Sequence, residues 1–146
     1  MRALVQRVSR ASVSVYEQTV GAIGSGLCVF VGVTHTDDGS TVQKLADKVW
    51  NLRVFEDDQR MMNLAVGDVS GEVLVVSQFT LYADTKKGRR PSFIDAARPE
   101  IAEPLIQRFC ETLSDLGAKV SSGEFQTHME VEIHNDGPVT IFLEYP

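Results

Sequence analysis

Two short stretches hold the residue types best suited to chemistry: Ser77-Gln78-Phe79-Thr80 and Asn135-Asp136-Gly137-Pro138-Val139-Thr140. Thr80 carries a hydroxyl, which is a weak nucleophile until a base takes its proton, and no base is visible beside it in the sequence. The same stretch can instead present backbone N–H groups and the Gln78 amide to a developing oxyanion. An enzyme built that way takes its nucleophile or its base from water or from the substrate. A plain structural role competes with both, with Thr80 hydrogen-bonded to backbone at a strand end. In the second stretch, Asp136-Gly137 lies between two strand-like runs and reads as a hairpin turn. Pro138 suits that turn poorly, because it has no N–H for a ladder and its φ is fixed. A sharper reading makes this turn a rigid presenter of backbone carbonyls to a ligand.

The familiar catalytic constellations are absent. His35, His128 and His134 show no metal-ligand spacing, and there is no Gly-x-Ser-x-Gly elbow and no P-loop. Gly21, Gly24 and Gly26 do not make a dinucleotide fingerprint. Glu130, Glu132 and His134 share one strand face, which is a solvated polar face before it is a metal trio. No metal and no cofactor are therefore expected. Cys28 falls in an apolar run and Cys110 in a helical pattern, so both read as buried, reduced thiols. The net charge is −6 and the sequence pI is about 5.0, which argues against indiscriminate nucleic-acid binding. Lys86, Lys87, Arg89 and Arg90 nevertheless form one dense cationic cluster.

The elements that must position these residues follow from periodicity. The chain has 146 residues, 43% hydrophobic and 23% charged, and reads as one domain over 1–146. Polar residues Arg2, Gln6, Arg7 and Arg10 break the N-terminal apolar pattern, so no signal peptide is expected. The longest apolar run, Leu27 to Val33, is too short to span a bilayer, and the expectation is a soluble, intracellular protein. Strands are expected at 2–8, 11–16, 19–23 and 27–33, arranged as an antiparallel meander. Val42, Leu45, Ala46, Val49 and Leu52 mark a helix over 41–54 with Ser40 as its N-cap. Met61, Met62 and Leu64 are expected to cover the core edge. Glu72–Val76 reads as a central strand running straight on through Ser77–Tyr82, followed by a loop over 83–93. A second helix spans Pro99–Leu116, where Pro104 implies either a kink or a later start. Gly117 suits the position after its end. A short strand at 119–122 precedes two strands, 129–134 and 139–143, on either side of the supposed turn.

Taken together, Ser77-Gln78-Phe79-Thr80-Leu81 and Asn135-Asp136-Gly137-Pro138-Val139-Thr140 resemble the two signature motifs of the D-aminoacyl-tRNA deacylase family. Residues 1–8, Met62-Asn63-Leu64, Ala83-Asp84-Thr85 and Arg90-Pro91-Ser92-Phe93 also look like family segments, so the likeness covers essentially the whole chain. The resemblance implies an α+β fold with a largely antiparallel, barrel-like sheet and two main helices. It implies a cytoplasmic homodimer, free of membrane, that hydrolyses the ester between a D-amino acid and the 3′ end of tRNA. Ser77, Gln78, Phe79 and Thr80 would form a backbone-centred catalytic pocket, with the terminal 2′-hydroxyl of the substrate ranked above Thr80 as the assisting group. Gly137-Pro138 would be cis and, with Val139 and Thr140, would reach into the partner's site, hold the α-amino group and exclude L side chains. Such a filter cannot reject glycine, so glycyl-tRNA is an expected substrate. Lys86, Lys87, Arg89 and Arg90 would contact acceptor-stem phosphates. Pro104 departs from a helix that the resemblance makes continuous, and Tyr82, often small in relatives, is expected at the pocket rim. A Thr80-dependent small-molecule esterase and a non-catalytic tRNA-binding module remain the competing readings.

Overall fold

Apolar and polar residues alternate from Arg2 to Val15, and they form one unbroken strand, β1 (Arg2–Val15), in place of the two expected. The computed structural model describes residues 1–146. Tyr16 and Glu17, both at positive φ (48° and 64°), turn the chain back into β2 (Gln18–Ile23). That is the conformation a two-residue hairpin loop requires. Next comes β3 (Gly26–Gly32), buried on both faces. The three strands are not a meander. β1 is long enough for β2 to pair with its second half, Ala11 opposite Ile23, and β3 with its first half, Arg2 opposite Gly32. β2 and β3 therefore share one edge of β1.

Two short strands, β4 (Phe55–Glu56) and β5 (Met62–Leu64), make a separate small ribbon. Met61 and Met62 are exposed there and do not cover the core; only Leu64 packs against it. β6 (Glu72–Ser77) runs parallel to β3, and β7 (Lys119–Ser122) runs parallel to β6. The main sheet is thus ordered β2-β1-β3-β6-β7, with a last strand on the far side of β1. That strand, β8 (Glu130–Glu144), pairs antiparallel with β1 over Glu130–Asn135 and again over Thr140–Glu144. No hairpin forms at Asp136-Gly137, because both flanking runs have the same partner.

Helix α1 (Gly39–Trp50) starts two residues before the expected 41 and ends at Trp50, capped by Asn51, four residues short of the expected 54. Asp38, not Ser40, caps its start, its carboxylate accepting from the Ser40 and Thr41 amides at 2.9 and 3.0 Å. Aspartate caps as well as serine, and Asp38 alone has the extended backbone that a cap needs. Helix α2 (Pro99–Asp115) opens on Pro99 and runs through Pro104. Pro104 and Glu100 are both exposed, so the carbonyl that Pro104 cannot pair is open to water. Gly117, at φ +112°, ends the helix as expected. No helix is long and apolar enough to cross a membrane.

The apolar faces divide into two clusters. The larger joins the helices to one face of the sheet through Leu45, Val49, Phe109 and Leu113, set against Ala3, Val5, Val29, Val31, Val73 and Val75. The smaller lies on the other face, around Val8, Val13, Cys28, Leu74 and Val76. Met1 is buried too, its ammonium donating to Asp37 Oδ1 at 2.6 Å and to the Tyr145 carbonyl at 2.7 Å. Tyr82, expected at a pocket rim, is buried beneath the Arg2 guanidinium, 4.4 Å from the ring centroid.

Phe109 is fully buried between helices and sheet. Phe109→Ala should destabilise the fold by about 3–5 kcal/mol in urea titration, with little change in the slope. The amides of Thr41 and Ser40 hold the Asp38 carboxyl below its ordinary value of 3.8. A depressed folded value means stability that is present above the unfolded value and lost as pH falls through the folded one. The Tm gap between wild type and Asp38→Ala should therefore be full at pH 7 and narrow below about pH 4.

Candidate functional site

β6 is buried on both faces, and its C-terminal end delivers the first motif to an opening. The Gln78 amide still donates to the Val31 carbonyl at 2.8 Å, extending the β3–β6 ladder by one step. The chain then tightens into a 3₁₀ helix, Phe79–Tyr82, and does not continue as strand. A helix start leaves its first amides without partners inside the helix. Neither the Phe79 nor the Thr80 amide donates elsewhere.

Beside this turn lies a cavity of about 540 Å³. Ser77, Gln78 and Phe79 form one edge of it. Val31, Val33 and Val76 lie beneath, Ile106 of α2 closes one side, and Phe93, Ala96 and Ala97 make a wall. The loop Phe125–Met129 also lines it and brings in Gln126 and His128. Of the 18 lining residues 12 are hydrophobic, so the cavity suits a ligand with apolar faces and a few polar edges. Phe79 and Phe93 meet edge to face at 5.0 Å.

Thr80 does not line this cavity. Its hydroxyl accepts a hydrogen bond from the Gln78 side-chain amide, and no His, Lys or carboxylate shares a hydrogen bond with it. That contact activates nothing, since an amide N–H cannot take the hydroxyl proton. The cysteines are no better placed. Burial pushes the Cys28 thiol up to about 12, and burial with the nearby Glu111 charge pushes Cys110 up to about 11. Both stay protonated near neutrality and are poor nucleophiles. Glu130, Glu132 and His134 gather no metal site; His134 pairs with Glu132 at 3.0 Å on an exposed face.

The second motif sits elsewhere on the chain: none of Gly137, Pro138, Val139 or Thr140 lines the cavity. They form an irregular excursion within β8. A step of two residues along β1, Gln6 to Val8, is matched by five along β8, Asn135 to Thr140. The Gly137–Pro138 peptide is cis, and Gly137 takes φ +126°. Across the excursion β8 changes faces. Met129, Val131 and Ile133 pack on the smaller cluster, while Val139, Ile141 and Leu143 pack on the larger one.

Arg7 holds this excursion. It is only 7% exposed, and its Nε donates to the Asp136 carbonyl at 3.1 Å while Nη1 donates to the Val54 carbonyl at 2.7 Å. The Asp136 carboxylate lies 3.5 Å from the same Nε. Asn135 closes the excursion from within, accepting from the Val139 amide and donating to Thr140 Oγ1, both at 2.9 Å. Lys86, Lys87, Arg89 and Arg90 are all exposed and in no ion pair. Their loop is tied at its base, where Asp84 and Ser92 exchange backbone hydrogen bonds at 2.8 and 2.9 Å. That base leads directly to Phe93 in the cavity wall.

Sequence reasoning missed Arg7 and the Phe125–Met129 wall. A charged residue inside an apolar alternation was the available signal for Arg7. The 125–129 wall carries no local pattern and is assembled by chain crossing.

The profile of the family described as D-Tyr-tRNA(Tyr) deacylase matches residues 4–144. A Clostridioides difficile protein named D-aminoacyl-tRNA deacylase is 55% identical over 144 residues, covering 99% of this chain and 97% of that one. One of the same name from Thermotoga petrophila is 57% identical with the same coverage. Among solved structures, the c-Myc DNA Unwinding Element Binding Protein superposes with TM-score 0.95 and 42% identity, over 100% of this chain and 99% of that one. A probable eukaryotic D-amino acid tRNA deacylase shares the fold at TM-score 0.82 and 17% identity, over 97% of each chain.

Arg7→Leu should cost about 1–3 kcal/mol, because the Val54 and Asp136 carbonyls lose their donor. Arg7→Lys should not restore it, since one ammonium cannot reproduce the fork that meets both carbonyls. Thermal melts of the three proteins check this. In Gly137→Ala, an added Cβ meets Val139 Cγ2 at 2.9 Å and Arg7 Nη2 at 3.0 Å at a φ that L residues avoid. The variant should melt below wild type even where Arg7 is intact.

Proposed function

The chain belongs to the D-aminoacyl-tRNA deacylase family, and we propose that it hydrolyses the ester linking a D-amino acid, or glycine, to the 3′ end of tRNA in the cytoplasm. The observation that carries the reading is the rim of the cavity. Phe79 lines a largely apolar chamber, its amide and that of the adjoining Thr80 have no backbone acceptor, and no triad or metal cluster accompanies them. Such a site can stabilise an oxyanion without supplying a nucleophile.

Water adds to the ester carbonyl carbon, and the negative charge that develops on the carbonyl oxygen is met by the two amides. The C–O bond to the ribose then breaks and the 3′ oxygen takes a proton. The adjacent 2′-hydroxyl of the substrate is the group that relays protons in this scheme. The engagement of Thr80 with the Gln78 amide and the lack of a base favour this over attack by Thr80.

Selectivity comes from a second subunit. Within one chain the Gly137–Pro138 excursion does not line the cavity, and Gly137 and Pro138 themselves are exposed on an edge strand. Both facts suit an element that completes the site of a partner. Its carbonyls would hold the substrate ammonium and leave no room for an L side chain, whereas a D side chain points away. Exclusion by sterics admits glycine, which has no side chain to collide. Lys86, Lys87, Arg89 and Arg90 would neutralise acceptor-stem phosphates without reading sequence.

Deacylation of matched D-, L- and glycyl-tRNA tests the reading. D and glycyl esters should be cleaved and the L ester spared. Tight binding of all three without cleavage would instead make the protein a non-catalytic binding module. Thr80→Ala should keep most of the turnover, while a 2′-deoxy terminal adenosine should abolish it. Loss with Thr80→Ala while binding survives would restore Thr80 as nucleophile. Replacing all four loop cations by Gln should raise KM and flatten its dependence on salt.

A further inference from the structure

The segment Phe93–Ala97 has no regular secondary structure, yet three hydrogen bonds tie it to Val33–His35 and one closes it on itself. Thr34 Oγ1 donates to the Asp95 carbonyl at 2.6 Å, and His35 Nε2 meets the Ile94 carbonyl at 2.7 Å. A carbonyl only accepts, so Nε2 carries the hydrogen. The Ala97 amide donates to the Val33 carbonyl at 2.9 Å, and the Ala96 amide to the Phe93 carbonyl at 3.0 Å. Pinned this way, the segment turns Phe93 into the cavity wall and leaves Ile94 outside, 76% exposed. Phe79, in contact with Phe93, is 58% exposed as well. Apolar surface therefore continues out of the cavity along a backbone that cannot fold it away.

Charge identifies what this surface suits. Between Lys86 and Arg98 there are five cations and one anion, Asp95, in a chain whose net charge is −6. Arg90 stands three residues before Phe93 and Arg98 four after Ile94, so positive charge flanks the apolar contact along the chain. Single-stranded nucleic acid presents that alternation, with base faces followed by phosphates. Resting on the deacylase reading, we propose that Ile94 is the docking contact for the penultimate base of an RNA 3′ end whose terminal nucleoside occupies the cavity. Thr34 and His35 are positioning residues that hold Ile94 outward for it.

The test compares three esters of one D-amino acid: on adenosine alone, on the dinucleotide cytidylyl-adenosine, and on whole tRNA. Ile94→Ser should lower kcat/KM about fivefold on the dinucleotide and on tRNA, and leave adenosine unchanged. Ile94→Met, still apolar, should restore most of it. An equal loss on all three esters would mean that the change acts through the cavity wall, and would overturn the proposal. No loss on any ester would overturn it as well. A smaller sedimenting mass for Ile94→Ser would assign the side chain to contact with a second copy and would likewise overturn it. Wild type that cleaves none of the three esters would overturn the deacylase reading itself.

Discussion

A guanidinium shut away from water must find acceptors, and Arg7 finds them on two segments far from it in sequence. It joins β1 to the excursion in β8 and to the stretch that leads into β4. The excursion has no regular ladder of its own across from Arg7, because five steps of β8 run beside two of β1. Without the buried fork those extra residues would lack a fixed course. With it they become a rigid projection, held from inside by Arg7 and along its own length by Asn135.

The same excursion lets β8 serve two apolar clusters. A regular strand paired to β1 would keep its odd residues on one face. β8 places Val131 and Ile133 on one cluster and Ile141 and Leu143 on the other, which closes both faces of the sheet with one strand. β1 acts as the hub, pairing with β2, β3 and β8, so the fold depends on its 14-residue continuity. β3 and β6, buried on both sides, carry the first motif to the cavity from the interior of the sheet.

The chemistry that this scaffold supports needs few side chains. In the proposed scheme the donors are backbone amides at the start of a 3₁₀ helix, and the apolar walls come from both helix and loop. The densest run of positive charge, Lys86 to Arg90, lies in one loop whose base leads into the wall at Phe93. An acidic protein can thereby be locally attractive to phosphate while remaining unattractive to polyanions elsewhere.

Periodicity alone determined that α1, α2 and the interior strands β3 and β6 exist, though not where α1 and β6 end, because burial on one face or two leaves its mark on every third, fourth or second residue. The two motifs and the cationic loop were also legible by residue type. Tertiary pairing decided the rest. Asp136-Gly137 carries the local chemistry of a hairpin, yet both flanking runs found the same partner in β1 and the turn became an excursion. Ser40 and Asp38 are equally good caps in sequence, and the backbone conformation chose Asp38. Tyr82 moved from an expected rim into the protein because Arg2, 80 positions earlier in the chain, lies over its ring. The cavity wall at 125–129 and the buried role of Arg7 depend on contacts between segments distant in sequence. Local patterns record which face of an element is buried, but not which distant segment buries it.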